Sequence, residues 1–223
     1  MQTQMNPEIE NFLLEKGAGT VRFVDISNLP DTQTHGFPRA VVFCIALTKE
    51  FVLAIRDGTH SGPDEFVDKE HETDRIADQL AIYIQSKGYK AFSQSEESIE
   101  ANGYYDEATM TSLLPHKTIA RLAGIGFIGK NNLIITKDYG CGFSMCTVLT
   151  DAPVQTENPP LLSPKCGECN KCKVVCENQA IHGNEWAEAG GRDAVVDVFK
   201  CACQLKCMVN CPYTLDYALQ VSI

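Results

Sequence analysis

The sequence predicts a mixed α/β (α+β) N-terminal domain followed by a small cysteine-rich C-terminal module, and three observations carry that prediction. β-branched apolar runs alternate with helical periodicity over residues 1–160. Four prolines fall within residues 152–165, a stretch without periodicity that reads as a linker. Eight of the eleven cysteines lie between positions 166 and 211. The expected domains are therefore 1–160 and 161–223.

Taken in order, PEIENFLLEKG (7–17) suits a short helix closed by Gly17, with Ile9, Phe12 and Leu13 facing inward. TVRFVDI (20–26) and RAVVFCIAL (39–47) read as strands, the second apolar enough to be central and buried on both faces. Cys44, inside that run, reads as core. Residues 63–87 are helical, with Ile76, Leu80 and Tyr83 or Ile84 on the buried stripe and Gly88 as the stop. YKAFS (89–93) is a returning strand, and the polar stretch 95–109 is expected as a loop that lines a pocket. Pro115 and His116 open a helix to about Leu122, a glycine-rich turn follows, and NLIIT and CTVLTD (146–151) are strands. Trp186 and Arg192 are expected to pack the insert between the two cysteine groups.

Composition narrows the classes. There is no run of 18 apolar residues, so a spanning helix is not expected. MQTQMNPEIENFLLEKGAG has no basic segment followed by an apolar one, so no secretion signal is expected and the expectation is a cytoplasmic protein without a membrane partner. The net charge of −10 and the absence of a Lys/Arg cluster make free nucleic acid a poor partner, while a basic protein would suit such a surface.

In a reducing compartment, a dense cysteine group with an odd total means metal rather than disulfides. KCGECNKCKVVCENQ (165–179) has the C-x2-C-x2-C-x3-C spacing of bacterial 4Fe–4S ferredoxins, with Glu177 where Pro is usual. KCACQLKCMVNCPYT adds Cys201, Cys203, Cys207 and Cys211, followed by Pro212. In two-cluster modules the fourth cysteine of the run ligates the other cubane. That rule assigns Cys166, Cys169, Cys172 and Cys211 to one cluster and Cys176, Cys201, Cys203 and Cys207 to a second. The C-x3-C step from Cys203 to Cys207 departs from the usual spacing. Zinc is the alternative, although zinc sites normally pair two separated C-x2-C hooks. Cys141 and Cys146 read as buried or spare thiols; a redox pair is the sharper alternative, but C-x4-C lacks the C-x-x-C geometry.

AGIGFIGKN (123–131) frees the backbone at Gly124, Gly126 and Gly129. Its G-x-G-x-x-G pattern follows a helix and precedes a strand, the reverse of the dinucleotide-binding context, so NAD is not expected. With its flanks, the stretch LPHKTIARLAGIGFIGKNNLIITKDYG, followed by VLTDAPV, CGECNKCKVVCENQAIHG and NCPYT, resembles the epoxyqueuosine reductase family, double-4Fe–4S proteins related to the reductive dehalogenases. The resemblance runs over about residues 63–215. It implies an N-terminal domain that binds cobalamin and a ferredoxin-like module that feeds it electrons. By carry-over, Gly126, Ile128, Gly129, Lys130 and Asn131 would contact the cofactor, with Tyr139 and Gly140 nearby.

Two departures accompany the resemblance. The family's proton-donating Asp, about thirteen residues before the glycine block, is replaced by Met110. Its long helical extension that helps grip tRNA has no counterpart before Ile223. With the acidic charge, these predict a substrate other than tRNA. His116, Tyr104, Tyr105 and Asp106 are then the candidate proton donors, His116 also suiting a plain helix-start role. The expected function is an iron–sulfur redox protein that receives electrons from a ferredoxin- or flavodoxin-type donor protein. It would pass them to a corrinoid or small-molecule acceptor; the alternative is a non-catalytic electron carrier for a protein partner.

Overall fold

The structure, a computed structural model, describes residues 4–62 and 64–220. Along the chain run α1 (Asn6–Leu14), β1 (Thr20–Asp25), α2 (Asp31–Thr34), β2 (Arg39–Ala46), α3 (Lys49–Asp57) and α4 (Glu65–Ser86). Then come β3 (Ala91–Ser93), α5 (Glu96–Ala101), β4 (Tyr105–Asp106), β5 (Thr111–Ser112), α6 (His116–Leu122), β6 (Gly126–Ile128), β7 (Ile134–Thr136) and β8 (Phe143–Thr150). Short helices α7 (Lys171–Val174), α8 (Lys206–Val209) and α9 (Pro212–Leu219) complete the chain, with 3-10 turns at Arg192–Ala194 and Val198–Lys200. The class is mixed α/β, and its sheets are small. The expected helix over 63–87 begins with Pro63, which lies outside the described residues.

Two compact units form, neither continuous in sequence. The first comprises Met1–Ala46, Phe66–Gly124 and Ser144–Pro160; the second comprises Leu47–Glu65, Ile125–Phe143 and Leu161–Ile223. In the first, a four-stranded sheet has the order β1-β2-β8-β3, with β1 antiparallel to β2 and β3 antiparallel to β8. Strand β2 is buried at every position but its ends, as an interior strand with apolar side chains on both faces must be. Ile9 and Leu13 of α1 and Ile76, Leu80 and Ile84 of α4 join Phe43 and Val148 in one core. Both helices end where the periodicity does, at Gly17 (φ +89) and Gly88 (φ +89), left-handed positions that glycine takes without a Cβ penalty. Phe12 stacks on Tyr83 at 5.1 Å.

Three elements differ from expectation. Residues 95–109 are not a plain loop. Glu96–Ala101 is helical because Asp74, on α4, accepts the Glu96 N–H at 2.9 Å and Ile99 supplies a buried anchor. The glycine-rich turn after α6 is partly extended: β6 pairs antiparallel with β7, Phe127 opposite Ile135. A Cβ on Gly126 would overlap the Ile135 carbonyl, so this close pairing requires glycine there. Helix α3 has no counterpart in the sequence reading; the Thr48 side chain caps it by accepting the Phe51 N–H at 3.2 Å. Residues 152–165 have no regular structure, but Asn158 is tied to Asp25 by two hydrogen bonds of 2.9 and 2.8 Å.

Candidate metal centre

In the second unit, the short turns that carry the cysteines leave their sulfurs around shared space. Cys166, Cys169, Cys172 and Cys211 line one concavity of about 390 Å³, its open mouth included, together with Lys130, Asn131 and Tyr213. Three of these cysteines come from the 166–172 run. The fourth sits at the N-terminus of α9, where Pro212 begins the helix with a φ already suited to it. Backbone N–H groups point at the sulfurs: Lys130 N–H at Cys166, Lys173 N–H at Cys172, and the Tyr213 and Thr214 N–H groups at Cys211.

The second set is arranged differently. Cys176 and Cys207, with Cys172, Trp186 and Val198, pack against a small core of Ala180, Ile181, Val195 and Val196. Cys176 Sγ accepts the Ala180 N–H at 3.3 Å. Cys201 and Cys203 are exposed, and the C-x3-C step takes an irregular path with Cys203 (φ +47) and Leu205 (φ +59) left-handed. Burial pushes the Cys207 thiol up to about 12, and the nearby Cys172, Cys201 and Cys176 push in the same direction. Burial likewise lifts Cys172 to about 11.

This donor set fits a cubane cluster. Four cysteines line one concavity. A 4Fe–4S core takes one thiolate per iron, so its ligands ring a space rather than meet at a point. The N–H groups aimed at sulfur suit anionic ligands, and Lys130 adds a nearby positive charge.

Lys130 is 6% exposed and its Nζ donates to the Gly167 carbonyl at 2.7 Å and to Asn170 Oδ1 at 3.4 Å. The β6–β7 turn thus ties down the cysteine loop. Asn131, 7% exposed, donates to Cys141 Sγ at 3.5 Å. Gly126, Ile128 and Gly129 are buried in the hairpin, and Tyr139 meets Tyr217 edge-on at 5.5 Å. Of the residues that the resemblance assigns to a corrin, Lys130 and Asn131 therefore line the cysteine concavity. Gly140 (φ +59) lies against the start of α9, where a Cβ would overlap the Thr214 backbone nitrogen.

The candidate proton donors lie in the first unit. His116 Nδ1 is 2.8 Å from Thr147 Oγ1, Thr147 donates to Gln94 Oε1, and Gln94 Nε2 donates to the Leu114 carbonyl at 2.9 Å. The Leu114 carbonyl fixes the Gln94 amide, Gln94 takes the Thr147 proton, and so His116 must donate from Nδ1. Desolvation, aided by Lys117, lowers His116 to about 4, which keeps the ring neutral at pH 7. Tyr104 stacks on His35 at 3.8 Å. Tyr105 and Asp106 lie on the exposed β4–β5 hairpin. The Asp106 carboxylate accepts from the Thr109 hydroxyl and the Ala108 N–H, which lower its pKa. Met110, exposed and left-handed (φ +52), follows on the same hairpin. Cys44 and Cys146 are wholly buried; Cys146 contacts Asp74, and its thiol is raised by desolvation.

No family model matches the chain. Epoxyqueuosine reductase from Lactococcus garvieae is 26% identical over 102 residues, 46% of this chain and 28% of that protein. The Synechocystis enzyme is 32% identical over 88 residues, 40% of this chain and 28% of that protein. Among solved structures, epoxyqueuosine reductase from Streptococcus thermophilus matches with a TM-score of 0.59 at 16% identity, covering 95% of this chain and 66% of that one. A catabolic reductive dehalogenase bound to 3-bromo-4-hydroxybenzoic acid matches with a TM-score of 0.68 at 20% identity, covering 92% and 31%. The fold is thus the one shared by epoxyqueuosine reductases and reductive dehalogenases. In sequence the chain is similar to epoxyqueuosine reductases over less than half of its length, and it spans less than a third of the two curated relatives named here.

No helix among the described residues is long and apolar enough to cross a membrane.

Proposed function

We propose that this protein is an iron–sulfur redox protein that holds two 4Fe–4S clusters and passes single electrons to an acceptor. The carrying observation is the concavity lined by Cys166, Cys169, Cys172 and Cys211, four cysteines from two distant segments. These would hold the first cluster, and Cys176, Cys201, Cys203 and Cys207 the second. The clusters supply one-electron storage at potentials set by charge, hydrogen bonds to sulfur and exposure. The chain supplies the rest. Backbone N–H groups and Lys130 offset thiolate charge, and the Lys130–Gly167 bond fixes the cysteine loop. The donor would be a ferredoxin- or flavodoxin-type protein, and the acceptor a corrinoid or other small molecule at the α/β unit.

Protein purified without oxygen should be brown and contain about eight irons per chain. Stoichiometric zinc without iron would reject the assignment. Titration with cobalamin then decides the acceptor: saturable binding supports a corrinoid-dependent reductase.

Met110 at the position of the relatives' proton donor, and the engagement of Lys130 and Asn131 with the cysteines, favour a second reading, an electron carrier without catalysis. It predicts no cobalamin binding at high micromolar concentration. In either reading we propose that tRNA is not the substrate, since a net charge of −10 opposes phosphate contacts. Retention of an epoxyqueuosine-modified tRNA stem loop in a binding assay would refute that part.

A further inference from the structure

The second cysteine set reaches the surface, where Cys201 and Cys203 are exposed. Val174, just before Cys176, is 79% exposed, and Phe199, just before Cys201, is 67% exposed. Among the described residues these are the two most exposed large apolar side chains, and both flank the same cysteines. Their segments are joined: Asn178 Nδ2 donates to the Lys200 carbonyl at 2.9 Å, and Lys206 pairs with Glu177. A single exposed apolar side chain needs no explanation, but two beside one redox group point to a partner. Charge says which kind. The chain carries −10 overall, yet segments 170–178 and 197–207 hold Lys171, Lys173, Lys200 and Lys206 against only Glu177 and Asp197. Lys171 and Lys173 are exposed, and Lys173 Nζ is held by the His182 carbonyl at 2.9 Å rather than by a carboxylate. Lys200 and Lys206 answer the two carboxylates. At physiological salt, charges are screened beyond about 8 Å, so a docked protein feels these lysines more than the net charge of the chain. The net charge alone would favour a basic partner; the local charge favours an acidic one.

We propose that this face is the docking surface for an acidic one-electron carrier protein of the flavodoxin type, with Val174 and Phe199 as its apolar contacts and Lys171 and Lys173 as its charged rim. Apolar contacts exclude water, while rim charges steer the encounter and set its orientation. Electron tunnelling falls steeply with distance, so a carrier seated beside the exposed Cys201 and Cys203 is placed to reduce the cluster that they would hold. The step balances. The carrier's anionic flavin hydroquinone gives one electron to the cluster and becomes the neutral semiquinone; no proton or covalent bond moves. The inference rests on the iron–sulfur reading above and adds where the donor binds.

The test is anaerobic stopped-flow mixing of a reduced acidic flavodoxin with iron-loaded wild type, Lys171→Glu, Phe199→Ser and Lys90→Glu, each with its iron counted. Lys90 is exposed on the first unit, and its reversal changes the net charge as much as that of Lys171. Cluster charge is common to every variant and cancels. At low salt, Lys171→Glu should lower the second-order rate constant about tenfold, and the gap should close as salt rises. Phe199→Ser should lower it about tenfold at every salt concentration. Lys90→Glu should stay within about twofold of wild type. Lys171→Glu alters no packed side chain, so it decides the matter even where Phe199→Ser binds less iron. A flavodoxin that reduces the wild type no faster than Lys171→Glu overturns the inference. Equal slowing by Lys90→Glu also overturns it, because only net charge would then matter. So does a wild-type dimer that Phe199→Ser breaks in sedimentation, since a second copy would then cover this face. A wild type that takes up no iron rejects the iron–sulfur reading itself, a result distinct from these.

Discussion

Gly140 shows how much a single missing Cβ can decide in this protein. It has φ +59 and faces the first turn of α9, the helix that presents Cys211. Gly140→Ala would force an unfavourable backbone region, about 1–3 kcal/mol, and add the overlap with Thr214. The expected outcome is a lower denaturation midpoint and fewer irons per chain than wild type, measured on the same preparation. His116 acts through protonation instead. Its folded pKa of about 4 lies below the ordinary value near 6.5, so between those values the unfolded chain binds more protons. The stabilisation is therefore full above pH 6.5 and is lost as pH falls toward 4, by up to about 3 kcal/mol. Denaturant unfolding at pH 7 and pH 5 should show a smaller loss for His116→Gln than for wild type. An equal loss in the two proteins would show that other groups carry the acid sensitivity.

At the scale of elements, the β6–β7 hairpin links the glycine-rich stretch to the cysteines. The glycines of its G-I-G-F-I-G pattern allow close approach, and one such approach is internal, Gly126 against Ile135. Its turn sends Lys130 to the cysteine loop. Removing that buried, charge-assisted hydrogen bond with Lys130→Ala should cost roughly 1.5–3 kcal/mol. Amide exchange should rise at Gly167–Asn170 and stay unchanged along α4. Exchange that is unaltered at 167–170 would mean that the cysteine loop is held by other contacts. Helix α5 was illegible for a similar reason. Its first N–H is satisfied by Asp74, and no local pattern in a polar stretch announces a partner 22 residues away.

For the whole molecule, the two units differ in what holds them together. The first has a continuous apolar core on both helices and the sheet. Around the second cysteine set, the buried apolar group consists of Ala180, Ile181, Val195 and Val196. So small a core cannot order a long irregular segment without added cross-links, and metal ligation is such a link. If the proposed clusters fill, chelating their iron should release exchange protection across 161–219 while residues 39–46 and 76–84 keep theirs. Uniform loss of protection along the chain would instead show that the clusters support the entire fold.

Local sequence determined the helices α1, α4 and α6, the strands β1, β2, β7 and β8, and the grouping of the cysteines, because each rests on periodicity or spacing within a few residues. The tertiary structure alone decided which groups surround those cysteines. Cys211 joins the 166–172 run across some forty residues, Lys130 reaches Gly167 across 37, and Thr214 meets Cys141 across 73. Such contacts leave no periodic trace in the chain. They follow from where packing brings separate segments together, and only there does an unassigned cysteine gain a partner.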